Sequence, residues 1–342
     1  MMNRKSFFVA GTLLIAALAG SAAQARQWGC WSQADRNVRI RNGGGSFSAE
    51  ATAAVNEWNS RTILNISSVS SGEETYYFSA NSGATGWGGL ARITNYSGCT
   101  ILRATAQLNT YYSWTSNAAR GVQCQEVGHT FGLDHSNDGG CMGGGYWYDI
   151  GTHYTLVTGN INEIGSIYAN KHDDHPTVGP EAGEPVLHAN WYHHPRSIRQ
   201  ATRLASDIVV ATVDYVTDGD PIVLPAESGG NIPTQRVHFT VKRSRKGSMV
   251  ASESFVLFQN GNDHNRFEDD PTYKVGQRYL LFLTPRPDGS YLVLSPEGRY
   301  EVGAKGLVPA IDEGFAAGLA GASLSDVLAD VTTALVQTPD PQ

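Results

Sequence analysis

The sequence predicts an α+β (α/β) protein in two parts: a mixed-sheet unit built around one functional helix, then a mainly β small-barrel unit that ends in a helix. Three observations carry this reading. Helical and strand periodicities alternate between residues 38 and 168, an acidic stretch rich in proline and glycine (DDHPTVGPEAGEP) follows residue 172, and short apolar strands recur beyond it. The expected division is 1–25 signal peptide, 26–172 first unit, 173–195 linker and 196–342 β unit.

In the first unit, Ser48 after the NGGG turn can cap a helix whose apolar positions include Ala54, Val55 and Trp58. Ile63, Leu64 and Ile66 read as a short strand. Thr115 or Ser116 can cap the next helix, with Val122, Val127 and Phe131 facing inward, and Ile161, Ile164, Ile167 and Tyr168 form a further apolar helical stripe. In the second unit, strands are expected over 207–216, 236–242, 254–258, 278–283 and 290–294, with Pro287-Asp288-Gly289 turning a hairpin between the last two. Their order resembles small β-barrels of OB or netrin type. Residues 323–336 form an amphipathic helix with Leu324, Val327, Leu328, Val331 and Leu335 on one stripe, expected to pack on the protein's own surface.

Chemistry concentrates in CQEVGHTFGLDHSNDGGCM, residues 124–142. Residues four apart share a helix face, so Gln125 and His129 project together while Glu126, one step round, can reach a water on a metal ion. Gly132 can end the helix in a left-handed conformation, after which His135 returns to the same point. Such a constellation suits zinc with an open position, where bound water becomes acidic enough to ionise near pH ~7 and Glu126 takes its proton. Gln125 is the doubtful ligand, because a neutral amide oxygen binds zinc less well than imidazole. His153, His172, His175, His193 and His194 are the histidines weighed as substitutes, His153 foremost by its proximity to the turn and the rest read as surface residues.

This stretch resembles the metzincin motif HExxHxxGxxH and its methionine turn, with Gln125 in place of the first histidine and Met142 at the turn. The resemblance extends over residues 38–168 to the catalytic domain of matrixin-type metzincins. It is carried by NGGGSFSAEATAAVNEWNSRTILNIS, GWGGLARI, ILRATAQLNTYYSW and NINEIGSIYANKHD. It implies a metalloprotease domain in which Glu126 is the general base, His129, His135 and Gln125 face Zn2+, and a substrate strand lies along an edge strand at Ala104, Thr105, Ala106, Gln107 and Leu108. The tyrosine that some of these proteins place two residues after the methionine is absent. Tyr146 and Tyr148 are the nearby aromatics.

Asn3, Arg4 and Lys5 precede an apolar run from Phe7 to Ala19, and Ala23-Gln24-Ala25 offers a cleavage site, so a secretory signal peptide is expected rather than a membrane anchor. Little lies between Ala25 and the first helix, and a long inhibitory prodomain is not expected. Export allows disulfides, and four cysteines permit three pairings. The favoured one joins Cys124 to Cys141, tying the turn to the helix, and Cys30 to Cys99. The formal charge is -7, and removing Arg4 and Lys5 makes it about -9. That balance argues against nucleic acid as a partner and against anionic membranes. The basic run KRSRKG at 242–247 reads as a solvated hairpin.

The expected function is that of a secreted zinc metalloendopeptidase acting on protein or peptide substrates. The competing reading is a catalytically inactive peptide-binding module that has lost tight zinc through Gln125. A third is that the β unit folds over the cleft as an internal inhibitor.

Overall fold

A computed structural model of the protein describes residues 26–136, 139–143, 153–171, 184–312 and 314–337. The signal-peptide reading, Tyr146, Tyr148, His172 and His175 lie outside the described residues. Two mixed seven-stranded sheets and six α-helices make up the described α+β architecture.

The first sheet runs in the order β3 (Asn65–Ser68), β2 (Asn37–Asn42), β4 (Thr75–Ala80), β6 (Thr100–Asn109), β5 (Trp87–Ser97), β7 (Val186–Trp191), with the short β1 (Ser32–Gln33) beside β6. The strands β3, β2, β4 and β6 are mutually parallel, whereas β5 is antiparallel to both β6 and β7. Helices α1 (Ser48–Arg61), α2 (Ser116–Thr130) and α3 (Thr158–Tyr168) share one core with this sheet, centred on Trp58, Val122, Val127, Phe131, Met142, Ile164 and Tyr168. Trp58 is fully buried, crosses Phe131 edge to face at 5.7 Å and donates its indole N–H to the Cys124 carbonyl at 3.0 Å. Its polar edge is thereby satisfied inside the core.

The stretch 173–195 reads in sequence as linker, yet residues 186–191 form β7 and join the first sheet. The alternation of Leu187, Ala189 and Trp191 explains why. These side chains pack with Trp87 and Leu90 on one side and with Ile222, Leu224, Phe258, Phe267 and Leu292 of the second unit on the other. A strand sandwiched in this way buries apolar surface that a linker would leave in water.

In the second unit, β8 (Asp207–Ile222), β9 (Ile232–Lys246), β10 (Ser254–Asn260), β12 (Tyr291–Val293) and β11 (Arg278–Pro285) pair successively, and β11 pairs with β8 again, closing a ring of five strands. Period-two alternation sorts its residues. Val209, Ala211, Val213, Phe239, Leu257, Leu281 and Leu283 fill the inside, while Ile208, Val210, Leu280 and Phe282 face outward. The outward set is covered by helix α4 (Ile198–Leu204), by strands β13 (Arg299–Gly303) and β14 (Gly306–Pro309), and by helices α5 (Gly314–Ala317) and α6 (Leu324–Val336). Of the expected stripe on α6, Val327, Leu328 and Val331 are buried, whereas Leu335 is 41% exposed. Helix α6 thus packs on its own unit, with Ser323 accepting from the Asp326 amide as its N-cap.

Polar bonds fix the two units together. The buried Arg92 on β5 donates to the carbonyls of Ser228, Gly229 and Gly230, and burial lowers its pKa to about 10. Arg286 donates to Ala84 O, and Asn260 to Thr85 O.

Trp58→Ala should lower the unfolding free energy by about 3–5 kcal/mol, because it leaves a large cavity in the core. Urea denaturation followed by circular dichroism measures this.

Candidate metal centre

The helix α2 presents the motif from inside the protein. Thr115 caps it by accepting from the Ala118 amide, and every residue from Gly121 to Thr130 is buried. At the other end, Leu133 N–H bonds Gly128 O at 3.2 Å and Gly132 N–H bonds His129 O at 2.9 Å, the pair of bonds that defines a Schellman stop. Gly132 sits at φ +91°, and a Cβ there would lie 2.0 Å from the Trp31 carbonyl. The chain turns back at this point and brings His135 towards His129, their ring centroids 5.0 Å apart.

The third imidazole comes from β7. His188 lies 4.2 Å from His129 and 4.6 Å from His135 between ring centroids, and one nitrogen of each of the three lies within 4.8 Å of the other two. Among the described residues no other group of three histidine, cysteine or carboxylate side chains converges in this way. His129 Nδ1 is 2.7 Å from the Leu133 carbonyl. Since a carbonyl only accepts, Nδ1 carries the proton and Nε2 keeps its lone pair. That Nε2 is buried without a hydrogen-bond partner. His135 Nε2 and His188 Nε2 face each other at 3.3 Å. Two nitrogens bound tetrahedrally to one zinc at ~2.05 Å stand about 3.3 Å apart, so the residues fit that ion.

Gln125 has a different role. Its Oε1 accepts a short hydrogen bond from Asn190 Nδ2, one residue beyond Ala189 on the same strand as His188, and its Nε2 has no partner. The amide expected to face the metal is therefore engaged with β7, and β7 itself supplies the imidazole. Of the weighed substitutes, His153 lies against Gly139, His193 packs edge to face on Tyr192, and His194 sits between Asn190 and Glu297. His188 was overlooked because its neighbourhood reads as linker. The available signal was the strand-like VLHANW that immediately follows the proline.

Glu126 is fully buried and neither carboxylate oxygen has a partner. Burial raises its pKa well above the usual carboxylate range, with the nearby His188 acting in the opposite direction. Gly89 on β5 makes room for it, since a Cβ there would lie 2.2 Å from Glu126 Oε1 and 2.6 Å from Val122 Cγ1. Met142 lies against Gly128 on the other side of the helix, where a Cβ would fall 2.4 Å from its sulfur. Cys124 is bonded to Cys141, and Cys30 to Cys99.

Burial holds His129 and His135 well below the usual histidine range. For His188 burial acts in the same sense but is outweighed by the Glu268 hydrogen bond and the charges of Asp269 and Asp134, which bring it to about 9.

The segment Ala104–Leu108 is not an edge. It lies in β6, which has β4 on one side and β5 on the other, so its backbone groups are already paired. The strand β5 is also paired on both sides, because β7 runs along it from Trp87 to Ile93.

No family model and no curated protein matches the sequence. Two solved structures of myroilysin are similar to it. One has a TM-score of 0.25 at 14% identity, over 32% of this chain and 54% of that one. The other has a TM-score of 0.24 at 13% identity, over 46% of this chain and 75% of that one. The chain thus spans about half the length of the first.

Gly89→Ala should lower stability by about 1–3 kcal/mol through overpacking against Glu126 and Val122. Gly165→Ala, in α3 with open space around it, should raise it by about 0.5–1 kcal/mol. Denaturant midpoints compare the two. In the metal-free protein the three histidines together contribute most to stability near pH 6.5, while buried Glu126, its pKa raised, adds to the loss as the pH rises. Below that, neutral His129 and His135 resist the protons that the unfolded chain takes up; above it, the stability gained from protonated His188 is lost as the pH rises through about 9. In chelated protein, His188→Gln should flatten the alkaline limb and also soften the acid limb, because the His188 charge helps hold His129 and His135 low.

Proposed function

We propose that the protein is a zinc-dependent, metzincin-like metalloendopeptidase in which His129, His135 and His188 hold the ion and Glu126 is the general base. The observation that carries this reading is the convergence of three imidazoles beside a buried, unpartnered carboxylate. Unsatisfied polar groups of this kind cost free energy unless a ligand completes them. A bound zinc ion would supply the Lewis acidity that polarises a carbonyl and acidifies water. Glu126, its basicity raised by burial, would accept the proton and pass it to the leaving amine. The buried surroundings strengthen these charge interactions.

The strand order β3-β2-β4-β6-β5, the helix that carries the motif, and Met142 packed against that helix at Gly128 support the metzincin likeness. The ring of five strands, with β10 and β12 parallel, supports an OB or netrin-like second unit. Secretion is supported by the two disulfides, and no helix among the described residues is long and apolar enough to cross a membrane. Protein or peptide substrates follow from the peptidase reading.

One observation favours a second reading, a latent form held closed by its own chain. An extended peptide binds by adding a strand to a free sheet edge, and β7 fills that place on β5.

Hydrolysis of a quenched-peptide library by zinc-loaded protein tests both. Chelator-sensitive cleavage that falls at least about 100-fold in Glu126→Gln is expected for an open peptidase. Stoichiometric zinc with no cleavage above that variant would replace it with the latent reading.

A further inference from the structure

The second unit reaches into the proposed metal centre. Between β10 and β11 the chain passes over β7, where Phe267 bridges Leu187 in parallel and the Glu268 amide donates to the Leu187 carbonyl at 3.3 Å. Phe267 is 2% exposed and packs in the apolar interface with Leu187 and Trp191. Backbone pairing and a buried anchor thereby fix residue 268 beside residue 188. Glu268 Oε2 accepts from Trp28 Nε1 at 2.5 Å and lies 3.4 Å from His188 Nδ1. The remaining nitrogen of that ring, Nε2, is the one turned towards His135.

We propose that Glu268 is the positioning residue of the metal centre, holding the His188 ring by Nδ1 so that Nε2 points at the ion. This rests on the zinc site proposed above. An imidazole can flip about its Cβ–Cγ bond and can carry its proton on either nitrogen, and a carboxylate at Nδ1 removes both freedoms. His129 is fixed in the same manner by the Leu133 carbonyl. His188, on a strand that arrives after a long connection, depends on the second unit for its equivalent. The β unit therefore completes the site in addition to bracing it.

Trp28 provides the control, because it shares Glu268 Oε2 and packs against both His188 and His129, at 5.2 and 5.9 Å between ring centroids. Trp28→Phe removes its N–H donor and part of the indole while keeping an aromatic ring in place. Zinc affinity would be measured by chelator competition on the full chain, and the site geometry by the visible spectrum of cobalt(II)-loaded protein. Glu268→Gln should weaken zinc binding about 10- to 100-fold and alter the cobalt spectrum, while the circular dichroism of the metal-free protein stays that of wild type. Trp28→Phe should stay within about twofold of wild type, because the carboxylate is still in place. If Glu268→Gln binds as wild type does while His188→Ala loses binding, the positioning role is overturned and the metal site stands. Equal losses in Glu268→Gln and Trp28→Phe would also overturn it, by placing the effect in packing. If His188→Ala binds zinc normally, the site itself is wrong.

Discussion

The pairing of β7 with β5 is the constraint on which the rest of the site depends. The helix motif brings two imidazoles and a carboxylate to one place but leaves an amide where a third imidazole is needed. Strand pairing sets register residue by residue, and a slip of one position would turn His188 to the opposite face. With Leu187 opposite Arg92 and His188 opposite Ala91, the imidazole reaches His129 and His135, and Asn190 meets Gln125. One register thus places the third imidazole and gives Gln125 a partner.

That arrangement explains why the two units are joined so closely. The strand β7 is covered by Phe267, Phe258 and Leu292 of the second unit, and Arg92 spends its charge-assisted bonds on carbonyls of the β8–β9 connection. A buried guanidinium is costly unless its donors are satisfied, and here three carbonyls take both terminal nitrogens, leaving only Nε without a partner. The loop that carries Glu268 belongs to the same contact. The proposed metal centre and the domain contact therefore lie on one surface, so a change at the interface would be felt by the three imidazoles.

Much of this was legible in the sequence. Periodicity located α1, α2, α3 and α6, and the Pro-Asp-Gly hairpin located β11 and β12, because local propensity and burial agree there. The spacing of Glu126, His129, Gly132 and His135 pointed to a metal, since the helix and the glycine turn that ends it bring those residues together. Four features were not legible. The composition around residues 173–195 is that of a linker, and only the long-range contact with β5 and Phe267 makes 186–191 a strand. His188 could be recognised as a third imidazole only once that strand was placed. Ala104–Leu108 reads as an edge because alternation reveals a strand without revealing its neighbours. Glu268 lies 80 residues from His188, in a loop with no periodic signal.

The central claim is that His188, and not Gln125, is the third ligand. Anomalous diffraction at the zinc edge from crystals of the zinc-loaded protein tests it directly. The account predicts one peak about 2.0–2.1 Å from nitrogens of His129, His135 and His188, with Gln125 still bonded to Asn190. A peak bound by the Gln125 oxygen with His188 turned away would contradict it, as would no peak at these residues.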